Sequence, residues 1–313
     1  MIYTVTLNPA LDKTLCIPGF AAGSVNRVKA QRLDAGGKGI NVSKAIKALG
    51  GESRAYAPIG GQAGQTLKEL VSALGIELLY TEIQGETRTN IKITDALTGQ
   101  TTDINSPGPV LDTKSAETIY ERVLALPSAG DTVVLSGSLP EGFGTDRLKA
   151  LIDGLKLCGV SVLADLSGAA LKAVAEAGPC LIKPNIFELS ELADGRFNEI
   201  NEIISCAKGL QARFGIDTVV VSMGENGLLT IAKSGVYRAF APKVEVKSTV
   251  GAGDAVTGAF AYGLENNMSI KQITALAAAA GAAAVAAEGT QMPDSGLIKA
   301  LMNSINVARI EEL

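Results

Sequence analysis

The segment Thr249-Val250-Gly251-Ala252-Gly253-Asp254 leads into an apolar, helix-forming run, Ala255 to Leu264. Glycines just before a helix leave several backbone N–H groups aimed at one spot, and the helix dipole adds partial positive charge there. Such a mouth holds an anion without any basic side chain. A carboxylate in the first turn, here Asp254, can take a proton from a hydroxyl attacking that anion. A carboxylate there can also simply cap the helix. The glycines flanking Ala252 favour chemistry, because a cap does not need them. Gly251, Ala252, Gly253 and Asp254 form the candidate catalytic group.

Two further clusters carry polar groups at the start of a predicted helix. In Ala35-Gly36-Gly37-Lys38-Gly39-Ile40-Asn41, backbone and Asn41 suit a polyhydroxy ligand, and Lys38 supplies charge to an anionic one. A glycine-rich turn is the plainer reading. Lys183-Pro184-Asn185-Ile186-Phe187-Glu188 follows the apolar strand 180–182, at the strand end where open α/β sheets bind ligands. Asn185 and Glu188 share one helical face and could hold a hydrated Mg²⁺; a capping pair is the alternative. Ser222-Met223-Gly224 ends another strand and could form a turn or a nucleotide-pocket wall. Arg27, Arg88, Asn90 and Lys92 lie in segments without helical period. Such charges are commonly solvated, but two arms bearing cations near a glycine-rich site suggest capture of a phosphorylated substrate.

Other chemistry is excluded. The chain has no His, so His-based triads, His metal sites and phosphohistidine are ruled out. No GxxxxGK[ST] motif is present, and no GxGxxG follows the first strand. The four Cys (16, 158, 180 and 206) are far apart, which predicts reduced core thiols in a cytoplasmic protein rather than a metal or disulfide framework. A net charge of −4 with no basic run argues against nucleic acid and anionic membranes as partners. The first residues lack the features of a signal peptide, and the Ala-rich run 273–287 is too short and weakly apolar to span a bilayer.

The elements that must position these groups follow a strand–helix alternation. Strands are expected over 3–7, 14–17, 28–33, 55–59, 78–80, 89–94, 101–104, 132–136, 160–164, 180–182, 217–222, 227–231 and 236–240. Helices are expected over 41–49, 64–74, 113–126, 144–157, 168–176, 186–193, 199–213, 253–265, 269–287 and 294–304, the last three closing the chain. This rhythm predicts a mostly parallel sheet covered on both faces. Two patches, about 12–34 and 88–105, break it, and the simplest account is a small β lid over one edge of a single domain spanning 1–313.

In this order, the clusters resemble the ribokinase (PfkB) family of carbohydrate kinases over essentially the whole chain. GGKGIN (36–41) and STVGAGD (248–254) are similar to the two family signatures, and KPNIFE (183–188) to its Asn-x-x-Glu element. TLNPALD (6–12), GETRTNIK (85–92) and SGSLP (136–140) resemble the branch acting on sugar phosphates. The resemblance implies a ribokinase-like three-layer α/β/α fold with a mostly parallel central sheet and a small β-sheet lid. It implies ATP and Mg²⁺ as cofactors and a phosphorylated ketohexose as substrate: fructose 1-phosphate, with tagatose 6-phosphate as the alternative. Asp254 would be the base and residues 251–253 the anion hole. Asp12, Gly37 and Asn41 would hold sugar hydroxyls, and Arg27, Lys38, Arg88 and Ser138 the substrate phosphate. Lys183, Asn185, Ser222, Gly224 and Thr249 would contact ATP, and Asn185 and Glu188 would reach Mg²⁺ through water. A homodimer through the lid is expected. A non-catalytic phosphosugar-sensing regulator is the reading from a different class, and intact Gly-Ala-Gly-Asp and Asn-x-x-Glu elements argue against it.

Overall fold

The structure, a computed structural model, describes residues 1–310. The chain opens with β1 (Ile2–Val5), β2 (Ala10–Cys16), β3 (Ala30–Gly36), α1 (Lys38–Ala48), β4 (Ser53–Ile59), α2 (Gly61–Ala73) and β5 (Glu77–Glu82). It continues through β6 (Arg88–Thr94), β7 (Thr101–Ile104), α3 (Thr113–Leu124), β8 (Thr132–Ser136), α4 (Thr145–Leu157), β9 (Ser161–Asp165), α5 (Gly168–Ala177) and β10 (Leu181–Ile182). Next come α6 (Ile186–Ala193), α7 (Ile200–Phe214), β11 (Thr218–Ser222), β12 (Leu228–Ala232) and β13 (Gly235–Ala239). The last elements are α8 (Ala252–Glu265), α9 (Ile270–Val285), α10 (Ser295–Met302) and β14 (Val307–Ile310).

Ten strands form one sheet in the order β14-β13-β12-β11-β10-β9-β8-β1-β4-β5. The run from β11 to β5 is parallel throughout, and β12, β13 and β14 add antiparallel strands at one edge. Alternate residues of the central strands face opposite layers. Val133, Leu135, Val162 and Ala164 pack with α3 to α7, while Val134 and Leu163 pack with α1, α8, α9 and α10. That is the expected three-layer α/β/α arrangement, and strands buried on both faces explain the continuous apolar runs in the sequence.

The small second sheet is also present, in the order β3-β2-β6-β7. Its period-two register puts Asp12, Thr14, Asn90 and Lys92 on one face, along the cleft. The opposite face carries Leu15, Leu33, Ile93 and Ile104.

Three expectations need correction. The helix placed at 41–49 begins at Lys38, with Gly37 at φ 108° as its N-cap, so GKG lies inside the helix entrance. The chain does not close on helices: β14 pairs antiparallel with β13, and with three helices between the two strands no hairpin turn marks it in the sequence. None of the four thiols is fully buried; Cys158, at the end of α4, is exposed, and all four are unpaired. Among the described residues no helix is long and apolar enough to cross a membrane.

Candidate active site

The carboxyl ends of the parallel strands deliver a row of charged groups to one cleft. Asp165 ends β9, Lys183 follows β10 and Ser222 ends β11. Parallel strands place their ends at one edge, and the connecting helices start there with positive dipole ends. The cavity, about 450 Å³, is lined among others by Asp12, Lys38, Asn41, Lys183, Glu188 and Asp254.

Helix α8 opens on Gly251, which holds φ 86° and offers no side-chain cap. The N–H groups of its first turn have no carbonyl behind them in the helix, so they face the cleft without an intrahelical partner. Gly253 is bare for a second reason. A Cβ there would lie 3.1 Å from the Nζ of Lys183, a tight contact that would push the lysine back by a few tenths of an ångström.

Asp254 is 5% exposed, yet it lines the cleft. Its Oδ2 accepts a 2.8 Å hydrogen bond from Asn41 Nδ2. Burial, and then the neighbouring Asp165 carboxylate, push its pKa up to about 6, against the opposing pull of Lys38. It is ionised at neutral pH but poised to accept a proton, the condition a general base needs.

Asp165 is fully buried and sits between two ammonium groups. Lys38 Nζ donates to Oδ1 at 3.3 Å, and Lys183 Nζ lies 3.3 Å from Oδ2. The Thr257 hydroxyl donates to the same Oδ2 at 3.0 Å. Burial alone would raise this carboxyl, but Lys183 and Lys38 outweigh it and hold it below its ordinary value. Asp165 in turn raises the pKa of Lys38. The arrangement fixes two positive groups at the helix mouth, where a transferred phosphoryl group would carry its charge.

Asp12 lies on β2 at the base of the second sheet. Its Oδ1 accepts from Asn90 Nδ2 at 3.0 Å, and its Oδ2 from the Thr290 hydroxyl at 3.4 Å. Burial raises its pKa against the Asn90 hydrogen bond. Gly36 pairs with Ala10, two positions along the strand from Asp12, and a Cβ there would collide with the Asp12 carboxylate, which accounts for that glycine by steric room.

Asn185 and Glu188 form a reciprocal capping box. Glu188 N–H donates to Asn185 Oδ1 and Asn185 N–H donates to Glu188 Oε2, each at 2.8 Å. Both residues nevertheless line the cleft. Among the described residues no cluster of three or more carboxylates, thiols or imidazoles could cage a metal. This donor set suits a cation that arrives with nucleotide phosphates and keeps most of its water.

The structure therefore gathers Asp12, Gly37, Lys38, Asn41, Arg88, Lys183, Asn185, Glu188, Ser222, Gly251, Gly253 and Asp254 along one cleft. Ala252 lies in the same helix mouth. Arg27, Ser138, Gly224 and Thr249 are exposed and outside its lining. Arg88 spends two donors on the carbonyls of Ser106 and Asn8, and burial lowers its pKa. Sequence reasoning missed Asp165, Asp34, Asp103, Asn105 and Thr290, which also line the cleft. Only Asp165 left a signal: a carboxylate closing an apolar strand at the ligand-binding edge.

A three-layer sheet whose strand ends meet a glycine-mouthed helix, a poised carboxylate and two clamped lysines defines a phosphotransferase of the carbohydrate-kinase class. The comparisons agree. A profile of pfkB family carbohydrate kinases matches residues 6–295. The chain is 34% identical to the 1-phosphofructokinase of Borreliella burgdorferi over 284 residues, 90% of this chain and 91% of that one. It is 32% identical to the 1-phosphofructokinase of Bacillus subtilis over 310 residues, covering 99% and 100%. Phosphofructokinase-2 from Escherichia coli, solved with substrates and products, superposes with a TM-score of 0.93 at 32% identity, over 97% of this chain and 98% of that one. The chain belongs to the pfkB family of carbohydrate kinases, and it is an ATP-dependent phosphotransferase.

Proposed function

We propose that the protein phosphorylates fructose 1-phosphate with ATP, giving fructose 1,6-bisphosphate and ADP. The observation that carries this reading is the Asp254 carboxylate, held by Asn41 beside the open mouth of α8, within a cleft whose far wall is the polar face of the second sheet. The full-length similarity to 1-phosphofructokinases supports the choice of sugar phosphate.

In the reaction, the free primary hydroxyl of the sugar attacks the γ-phosphorus in line with the leaving ADP oxygen. The new O–P bond forms as the old one breaks, and the hydroxyl proton passes to Asp254 Oδ. The N–H groups of residues 251–253, with Lys38 and Lys183, stabilise charge on the equatorial oxygens. Asp12 and Asn41 hold sugar hydroxyls. Lys183 and Ser222 lie on the nucleotide side. Mg²⁺, when bound with ATP, would neutralise phosphate charge, with Asn185 and Glu188 reaching it through water. The substrate's own phosphate falls to Lys92, with Arg88 behind it. Arg88 donates to backbone carbonyls, whereas the Lys92 ammonium lies 3.6 Å from Asp103 and lines the cleft.

The second sheet acts as a lid that closes over the sugar and keeps water from the γ-phosphate. Leu33 and Ile104 are exposed on its outer face, and a second copy of the chain would cover them there. Sedimentation of the wild type against Ile104→Lys tests that contact, and an unchanged oligomer would discard it.

An assay panel of fructose 1-phosphate, fructose 6-phosphate and tagatose 6-phosphate decides the substrate. The highest kcat/KM is expected for fructose 1-phosphate. A preference for either of the others would replace this reading, and absence of ADP formation with all three would favour a sensing role.

A further inference from the structure

Lys44 lies in the middle of α1, 3% exposed, an unusual place for an ammonium group. Its three N–H donors match three acceptors. Nζ donates to the Ala35 carbonyl at 2.5 Å, to the Thr290 carbonyl at 2.7 Å and to Asn41 Oδ1 at 3.1 Å. An ammonium has no acceptor site, so whichever atom of the Asn41 carboxamide meets it must be the oxygen. The other end of that amide then has to be the NH₂ group, and it faces Asp254 Oδ2 at 2.8 Å. Flipping the amide would set N–H against ammonium and oxygen against carboxylate, two repulsive contacts in place of two attractive ones.

We propose that Lys44 is a positioning residue for phosphoryl transfer: it locks the Asn41 amide so that an N–H is always presented to Asp254. The inference rests on the reading of Asp254 as the base. Lys44 touches no reacting atom. Its three acceptors come from the end of β3, from α1 and from the segment after α9, so one side chain ties the second sheet, the first signature and the wall beside Asp12 to the base.

The charges around this relay are few. Asp254 is faced by Asp165, Lys38, Lys183 and Asn41, and Lys44 by Asp12, Asp34, Asp254 and Arg32. Burial pushes Lys44 down to about 8, and the carboxylates oppose that shift, so the ammonium predominates at neutral pH. With Lys44 removed, Asp254 loses both an enforced donor and a nearby positive charge, and both losses favour its protonated form.

The test follows the Asp254 carboxyl by ¹³C NMR titration in the resting enzyme, beside the pH profile of kcat. In Lys44→Met both midpoints are expected to rise by about one pH unit, and plateau kcat to fall at least about tenfold. Lys44→Arg keeps a donor at the amide and should recover most of the shift. Adding Lys44→Met to Asn41→Leu should shift Asp254 less than Lys44→Met alone, because only the lost charge then remains to act. An Asp254 titration unchanged by Lys44→Met in a folded protein would overturn the inference while leaving the base reading intact. Near-normal turnover of Asp254→Asn would sink the base reading but not the amide lock. Should Lys44→Met fail to fold, neutron diffraction of the wild type decides. Deuterons on the Asn41 atom facing Asp254 support the lock, and deuterons on the atom facing Lys44 refute it.

Discussion

Asn41 and Asp254 lie 213 residues apart and share a 2.8 Å hydrogen bond from Nδ2 to Oδ2. That bond joins the entrance of α1 to the entrance of α8, two helices packed side by side on one face of the central strands. Asp254, the proposed base, is thus held by the same segment proposed to hold the sugar.

The base assignment is tested most directly by Asp254→Asn. Turnover should fall by roughly two to four orders of magnitude, with KM for both substrates changed only a few-fold. Steady-state kinetics read both, and a variant with near-normal kcat would end the assignment.

The same substitution has an opposite effect on stability. The pKa of Asp254 is raised from 3.8 unfolded to about 6 folded, so between these values the native state binds more protons than the unfolded one. Stability from this group is fully present below pH 3.8 and is lost as pH rises through about 6. At neutral pH, burying the charge costs on the order of 3 kcal/mol. Asp254→Asn should therefore melt higher than wild type at pH 7–8 and show little gain near pH 4. Thermal melts across that range check it.

In kinetics, kcat/KM should be flat above about pH 6 and fall tenfold per pH unit below it, because the protonated base cannot accept the hydroxyl proton. Asp165→Asn removes the like charge that raises Asp254, so its acid limb should move to lower pH, opposite to that of Lys44→Met. It also leaves Lys183 buried without its counter-charge, a loss of about 3–5 kcal/mol in stability. An acid limb that stayed in place would separate Asp165 from the base.

For the substrate phosphate, Lys92→Ala should raise KM for fructose 1-phosphate about tenfold or more and leave KM for ATP unchanged. Arg88→Ala should raise the same KM, and also destabilise the protein through the loss of its bonds to Ser106 and Asn8. Equal effects on both substrates would move these residues out of the phosphate subsite.

Much of this molecule was legible in its residues. The alternation of apolar strands and amphipathic helices predicts the layered sheet because burial on both faces demands apolar runs. Glycines at the helix entrances point to a candidate anion site because bare backbone lets N–H groups converge. Helix α6 and strands β7 and β8 fall where their local patterns put them. Strand β7 is equally short but is flagged by the turn that joins it to β6; β14 has no such signal, because three helices separate it from its partner β13.

The sequence by itself determined the fold class, the two glycine-mouthed helices and the carboxylate at residue 254, since each is a local pattern with one cheap physical solution. Only the tertiary structure decided what surrounds that carboxylate. It set Asp165 between Lys38 and Lys183, turned the Arg88 donors to backbone carbonyls, closed Asn185 and Glu188 into a capping box, and linked Lys44 through Asn41 to Asp254. These are contacts between groups 18 to 213 residues apart, or choices among local partners, and their energies depend on burial and distance that no one-dimensional spacing encodes.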